Sequence, residues 1–310
     1  MAYLIVTADD FCLTEGVCQG ILRAAGQGVV RSVSIMSRVP GAGDLLRRHA
    51  PALAELAALA GRTELTGSAE RAEMIERAER AEAAGPIGPA GSAGAGRAGS
   101  PGVHLGAHLQ LTKGTPVLPA GLVPSLVDAS GQFPKHPEGV IRPDPTEVML
   151  EWRAQIGTLE KLGVRPAYLD SHHHIHGRPG ILPVFAALAR ELDLPARAVD
   201  RDMATFLRNA GVACPDECLT GWFGESPTVQ SLTAVLDAAL ARSGDGAILE
   251  LMTHPGLVDA ELAAVSSYAA PRKAELAALI SPELPGLLLE RGVTLASMAD
   301  LPGLCGLGQG

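Results

Sequence analysis

The sequence predicts an α/β fold, a parallel sheet with helices packed outside it. Three observations carry this. Apolar runs of strand length alternate with helix-period segments about seven times along the chain. No G-x-G-x-x-G follows the first apolar run, which disfavours a dinucleotide-binding sheet. Asp and His residues collect just after the apolar runs, where the carboxyl ends of parallel strands gather an active site. The alternation fits a closed barrel or an open doubly wound sheet.

The elements follow in order. Tyr3 to Thr7 is a short apolar run leading into Ala8-Asp9-Asp10, so it reads as a buried strand that delivers two carboxylates. Thr14 can cap a helix from Glu15 through Val17, Ile21 and Leu22 to Ala25, closed by Gly26 and Gly28. Val29 to Met36 reads as a strand and Leu45 to Leu59 as a helix. Glu70 to Glu82 is charged, with only Met74 and Ile75 as large apolar groups, and 83 to 100 is mostly Ala and Gly. Such chain gains too little burial to offset its ordering entropy. We read 64–101 as a low-complexity insertion, expected to be mobile, within a single domain spanning 1–310.

Val103 to Leu111 reads as a strand with His104, Gly106, His108 and Gln110 on one face. Asp144-Pro145-Thr146-Glu147 starts a helix whose Val148, Trp152, Ile156 and Leu159 form a core stripe. Pro166 to Leu169 is a short strand running into Asp170-Ser171-His172-His173-His174-Ile175-His176. Ile181 to Leu192 is helical, with Pro183 tolerable only in the first turn. Arg197 to Val199 reads as a strand, Val229 to Leu240 as a helix, and Ala247 to Met252 as a strand ending in Thr253-His254-Pro255-Gly256. A helix over Ala270 to Ile280 and a strand over Val293 to Leu295 close the chain.

Composition bounds the function. Apolar residues are 47% but aromatics only 3%, so Leu, Val, Ile and Ala must build the core. A net charge of −9 argues against a nucleic-acid or anionic-membrane partner. No basic segment followed by an apolar stretch opens the chain, and no apolar run approaches the ~20 residues that cross a bilayer. Five cysteines, an odd number, fit a reducing compartment, and Cys214 and Cys218 read as free thiols in a loop. The expectation is a cytoplasmic protein.

Asp9 and Asp10, His108, Asp170 with His172, and His254 all fall at strand ends. One Asp with two His can hold a divalent cation and leave positions open for water. A further carboxylate beside such a cation can act as general base. Each piece has a plainer reading: a capping turn for Asp-Asp, a core or surface histidine for His108, a surface metal-scavenging patch for the histidine run, a turn residue for His254. The combination carries more weight than its parts, because one architecture explains all of them.

The stretches LIVTADDFCLTEGV, GAHLQLTKGTPV, YLDSHHHIH and ELMTHPG resemble the YdjC/ChbG/HpnK-type carbohydrate deacetylases, as do SSYAAPRKAELAAL and the closing GVTLASMADL. The resemblance implies a distorted (β/α) barrel of about seven parallel strands, of the glycoside hydrolase/deacetylase kind. It also implies one divalent metal ion and a small N-acetylated carbohydrate substrate, cleaved to acetate and an amino sugar. The family's metal ligands fall on Asp10, His108 and His172, its base on Asp9, and its general acid on His254. The family is described as magnesium-dependent, whereas this ligand set suits zinc or another transition metal at least as well. Residues that would bind the sugar are not identified, and a homodimer is left open.

Two departures stand out. Cys12 replaces the usual glycine after the ADDF motif, which costs strain if φ is positive there and places a thiol near the metal. Arg31-Ser32 replaces Thr-Ser before the second strand's end. Neither removes a ligand, and the 64–101 insertion precedes the strand bearing His108. Two rival readings are a metal-dependent hydrolase of another bond, such as a phosphoester, and a non-catalytic metal- or sugar-binding protein of the same fold. Of the remaining residues, Trp152 reads as core. Trp222-Phe223 reads as a packed loop or a sugar-stacking one. Arg272 and Glu275 read as a surface pair, and Tyr268 has no assigned role.

Overall fold

In the computed structural model, which describes residues 1–58, 102–224 and 226–306, the first apolar run becomes β1 (Ala2–Phe11) and carries Asp9 and Asp10 within it. The insertion read at 64–101 lies outside the described residues. Thr14 caps α1 (Glu15–Gln27) as expected, its side chain accepting from the Val17 N–H at 3.3 Å. There follow β2 (Ser32–Ile35), α2 (Ala42–Ala58) and β3 (His104–Leu109). Asp144 caps α3 (Pro145–Lys161) by accepting from the Thr146 and Glu147 N–H groups, and Val148, Trp152, Ile156 and Leu159 are buried. The fourth strand, β4 (Leu169–Ser171), starts later than the sequence suggests and contains Asp170. Pro183 does lie in the first turn of α4 (Leu182–Glu191).

The sequence reading missed α5 (Arg201–Asn209) and β5 (Glu217–Leu219); Cys218 is in the latter, not in a loop. The chain continues through α6 (Val229–Ser243), β6 (Ile248–Thr253), α7 (Ala260–Val265), α8 (Ala270–Leu279), α9 (Leu284–Glu290), β7 (Val293–Ala296) and α10 (Leu301–Leu304).

All the strand pairings are parallel, in the order β4-β3-β2-β1-β6-β5, with β7 added to β1. The length of β1 explains its three neighbours. It pairs with β6 along one edge, and on the other with β7 near Ala2–Ile5 and β2 near Thr7–Phe11. The sheet's two ends approach each other through residues 195–197. Leu169 N–H donates to Pro195 at 3.0 Å, Arg197 N–H to Leu169 at 3.0 Å, and Ala196 N–H to Ala213 at 2.9 Å. The expected strand at Arg197–Val199 is therefore a single bridge at Ala196, and the sheet curls into a distorted barrel. All strands point one way, so Asp9, Asp10, His108, Asp170 and His254 share one end. No helix among the described residues is long and apolar enough to cross a membrane.

Candidate active site

The site begins with an irregularity in β1. Its register with β2 shifts between Ala8 and Phe11, and Asp10 and Cys12 have φ of 69° and 77°. Successive strand residues normally face opposite ways; a bulge re-aims them. Asp9 and Asp10 thereby reach the same buried cluster. Asp tolerates left-handed backbone, whereas Cys12 bears the strain the sequence anticipated. Its thiol is fully buried in the main core and belongs to none of the ligand groups found among the described residues. Burial and the neighbouring Cys18 push that thiol's pKa up, so it stays protonated.

Asp10, His108 and His172 converge. Asp10 Oδ1 lies 3.1 Å from His172 Nδ1 and 3.6 Å from His108 Nε2, and all three residues are buried. The longer contact is beyond hydrogen-bond range, and His172 Nε2 is buried without a partner. Two ligand bonds of ~2.0–2.2 Å at tetrahedral or octahedral angles set donor atoms roughly 3 to 3.5 Å apart. The trio therefore fits a divalent cation better than it fits a closed set of hydrogen bonds. His108 Nδ1 bonds Asp170 Oδ1 at 2.8 Å, which turns its other nitrogen toward Asp10. Burial would lower His108, but Asp170, Asp9 and Asp10 outweigh it and hold the imidazole up at about 9. Burial would raise Asp10, but Arg272 and His172 hold it well below the usual carboxylate range.

Only the first histidine of the run reaches Asp10. His173 and His174 adopt left-handed φ of 56° and 49° in a 3-10 turn over His172–Gly177. Ser171 Oγ pins the turn, 2.5 Å from His176 Nδ1 and 3.0 Å from the donating His176 N–H. His173 packs on the His172 ring at 3.9 Å and bonds Thr112 at 3.0 Å. The run fixes one ligand's aim.

Asp9 is clamped by a residue that sequence reasoning missed. Arg197, fully buried, donates from both terminal nitrogens to Asp9 at 2.6 and 2.9 Å. It also meets Glu250 Oε1 at 2.7 Å and Asp170 Oδ2 at 3.1 Å. Asp9, His108 and Asp170 form a second cluster of metal-ligand type, but the guanidinium already supplies its positive charge. One signal was legible: Glu250 interrupts the apolar run Ile248–Thr253, and a buried carboxylate demands a partner. Nothing marked Arg197 as that partner.

The pairing expected of Arg272 and Glu275 on a helix surface is wrong. Both are buried and face the site. Arg272 donates to Asp10 Oδ2 at 2.6 Å, which leaves Oδ1 to the two histidines, and to the Tyr268 carbonyl at 2.8 Å. Glu275 accepts from the His254 N–H and the Tyr268 hydroxyl, both at 2.5 Å. Burial pushes Glu275 up to about 7 despite these donors. His254 itself lies just past β6, its Nδ1 buried without a partner. Burial lowers it to about 3, with Arg272 helping and Asp10 opposing, so it is neutral imidazole at neutral pH. Trp152 is core, as expected. Trp222 is also buried, its indole N–H shared between Thr228 and Ser231, each at 3.1 Å. Phe223 is exposed beside His254.

A family model described as YdjC-like protein matches residues 3–62 and 72–290. A carbohydrate deacetylase of Geobacillus stearothermophilus is 32% identical over 298 residues, covering 96% of this chain and 97% of the relative. A chitooligosaccharide deacetylase of Serratia marcescens is 30% identical over 311 residues, covering 96% and 98%. A crystal structure of an Enterococcus faecalis V583 protein, assigned provisionally to cellobiose-phosphate cleavage, superimposes with a TM-score of 0.74 at 29% identity, covering 97% of this chain and 98% of that one.

Proposed function

The chain belongs to the YdjC-like family, and from that premise we propose that it hydrolyses the N-acetyl group of a sugar, releasing acetate and an amino sugar, with one divalent cation held by Asp10, His108 and His172. The observation that carries this is the convergence of those three side chains at the carboxyl end of the sheet. A divalent cation held there would supply Lewis acidity, the chemistry that acidifies a water and polarises an acetyl carbonyl. Asp9 takes the water's proton. Both its oxygens are held by Arg197, so it is aimed, and a carboxylate keeps lone pairs free for a further bond. His254 serves the leaving nitrogen. It rests neutral, so the proton that reaches the leaving nitrogen through it is the one Asp9 has taken from the water.

The donor chemistry favours zinc or another transition metal over the magnesium implied by family resemblance. Chelation is expected to abolish acetate release, and calorimetric titration should show a transition metal binding more tightly than magnesium. His172→Ala should lose both cation and turnover; full activity in a metal-free His172→Ala protein would end the proposal. Asp9→Asn should keep the cation and lose about a hundredfold in turnover, and wild-type rates there would exclude Asp9 as the base. A phosphoesterase with two cations is disfavoured, because Arg197 occupies the second acidic cluster.

A further inference from the structure

We propose that Phe223, backed by Tyr268, is the platform on which the pyranose ring of the substrate lies, and so the residue that makes the site select a sugar over an open-chain amide. The inference rests on the deacetylase reading and adds a binding surface to it.

Phe223 is 47% exposed, and what sets it apart from the other exposed phenylalanine, Phe206, is its place beside His254. It is not a loose surface residue. One face is covered by Tyr268, with ring centroids 4.1 Å apart and planes within 20°. Tyr268 is fixed in turn. Its hydroxyl donates to Glu275 at 2.5 Å and lies within 3.4 Å of both the Gly224 N–H and carbonyl, and its carbonyl accepts from Arg272. The loop carrying Phe223 is anchored on the other side by the buried Trp222 indole and by the Phe223 N–H bonded to Thr220. The ring is thus held before any ligand arrives, so little entropy remains to be lost on binding.

The platform is also in the right place. The Phe223 centroid is 5.3 Å from that of His254, and Tyr268 is 5.7 Å from it. These distances place His254 beside the stacked pair, at the edge of Phe223, so a sugar on the open face would reach it through a substituent at the ring's rim. A sugar laid on the open face of Phe223 presents a ring substituent to His254 and, beyond it, to the cluster around Asp10. The axial C–H groups of a pyranose form an apolar face that an aromatic ring covers well, whereas an open-chain amide has no such face. Glu275 joins the two parts, since it binds the platform's Tyr268 hydroxyl and the His254 backbone at once.

The test compares di-N-acetylchitobiose with an N-acetylated open-chain amine in the metal-loaded enzyme. In Phe223→Ala the ratio of kcat/KM for the sugar to that for the open-chain amide should fall about tenfold, mostly through KM, and Phe223→Trp should restore it. Equal losses on both substrates, or no rescue by Trp, would overturn the platform, because a merely structural residue would behave so. Calorimetric binding of the disaccharide to both proteins separates the two claims. If wild type binds the sugar, Phe223→Ala binds it about tenfold more weakly, and neither releases acetate, the platform stands and the deacetylase reading falls. Equal binding by the two proteins overturns the platform whatever the turnover shows.

Discussion

At the scale of single residues, the site depends on buried charges that hold one another. Arg197 faces Asp9, Asp170 and Glu250 with no solvent to screen them. Removing it leaves three buried carboxylates without their cation. Arg197→Met should therefore cost about 3–5 kcal/mol in denaturant unfolding, and Arg197→Lys should recover little, because an ammonium cannot bridge Asp9 through two parallel bonds. A loss under 1 kcal/mol would show that the network relaxes. Glu275 allows a second test. Its folded pKa is raised from 4.5 to about 7, so the folded state binds the proton more tightly than the unfolded one. That contribution is fully present below about 4.5 and is lost as pH rises through about 7, at a total on the order of 3 kcal/mol. Glu275→Gln cannot ionise, so its stability should gain on wild type between pH 5 and 8. A constant difference across that window would show that Glu275 is not protonated in the folded protein. Both residues were illegible as site residues in the sequence. Asp10, His108, His172 and His254 could be placed because each follows an apolar run. Arg197 and Glu275 matter only through what the curled sheet brings against them, and the three-residue spacing of Arg272 and Glu275 pointed to a surface instead.

At the scale of elements, legibility followed length. The strand at Ala2–Phe11 and the helix at Pro145–Lys161 carry enough residues for their apolar pattern and caps to show, whereas Glu217–Leu219 is too short to display a period. The histidine run was readable as chemistry but not as a turn with two left-handed residues, since Ser171 and Thr112 hold that shape from outside it. Glycine shows how an element sets the site. A Cβ on Gly20 of α1 would stand 2.4 Å from the Gly256 Cα, just past His254. Gly20→Ala should then cost about 1–3 kcal/mol and slow turnover by moving His254, while calorimetric metal affinity stays close to wild type, because the three proposed ligands hang on other strands. A fall in metal affinity matching the fall in turnover would mean that α1 supports the whole site. At the strained end of β1, Cys12→Val should cost roughly 1–3 kcal/mol despite suiting an apolar interior, since a β-branched side chain at φ 77° is strained. An equally stable Cys12→Val protein would remove the strain argument.

At the scale of the whole molecule, the proposed insertion can be judged from the residues on either side of it. Leu56, in the last turn of α2, accepts at 3.2 Å from the N–H of Val103, one residue before β3. The chain therefore leaves and re-enters the barrel at adjoining points. His104 N–H then bonds Arg31, and β3 pairs with β2 from its first residue, so the register of β3 is set by the sheet and not by the segment that precedes it. A short Gly/Ser linker can span a gap of this size. Closure cost changes by only about 0.6 kcal/mol per halving of loop length, so on the insertion reading replacing 64–101 should change stability by no more than roughly 2 kcal/mol. His108 sits four residues beyond His104 on a strand whose neighbours are unchanged, so metal affinity should stay within a few-fold of wild type. The family model matches most of this stretch, leaving out only residues 63–71, which makes sugar affinity the quantity most open to change. The decisive measurement is calorimetric titration of the linker-replaced protein with metal. Loss of binding there, in a chain that still unfolds cooperatively, would show that residues 64–101 help form the site and that the core of this protein is not complete without them.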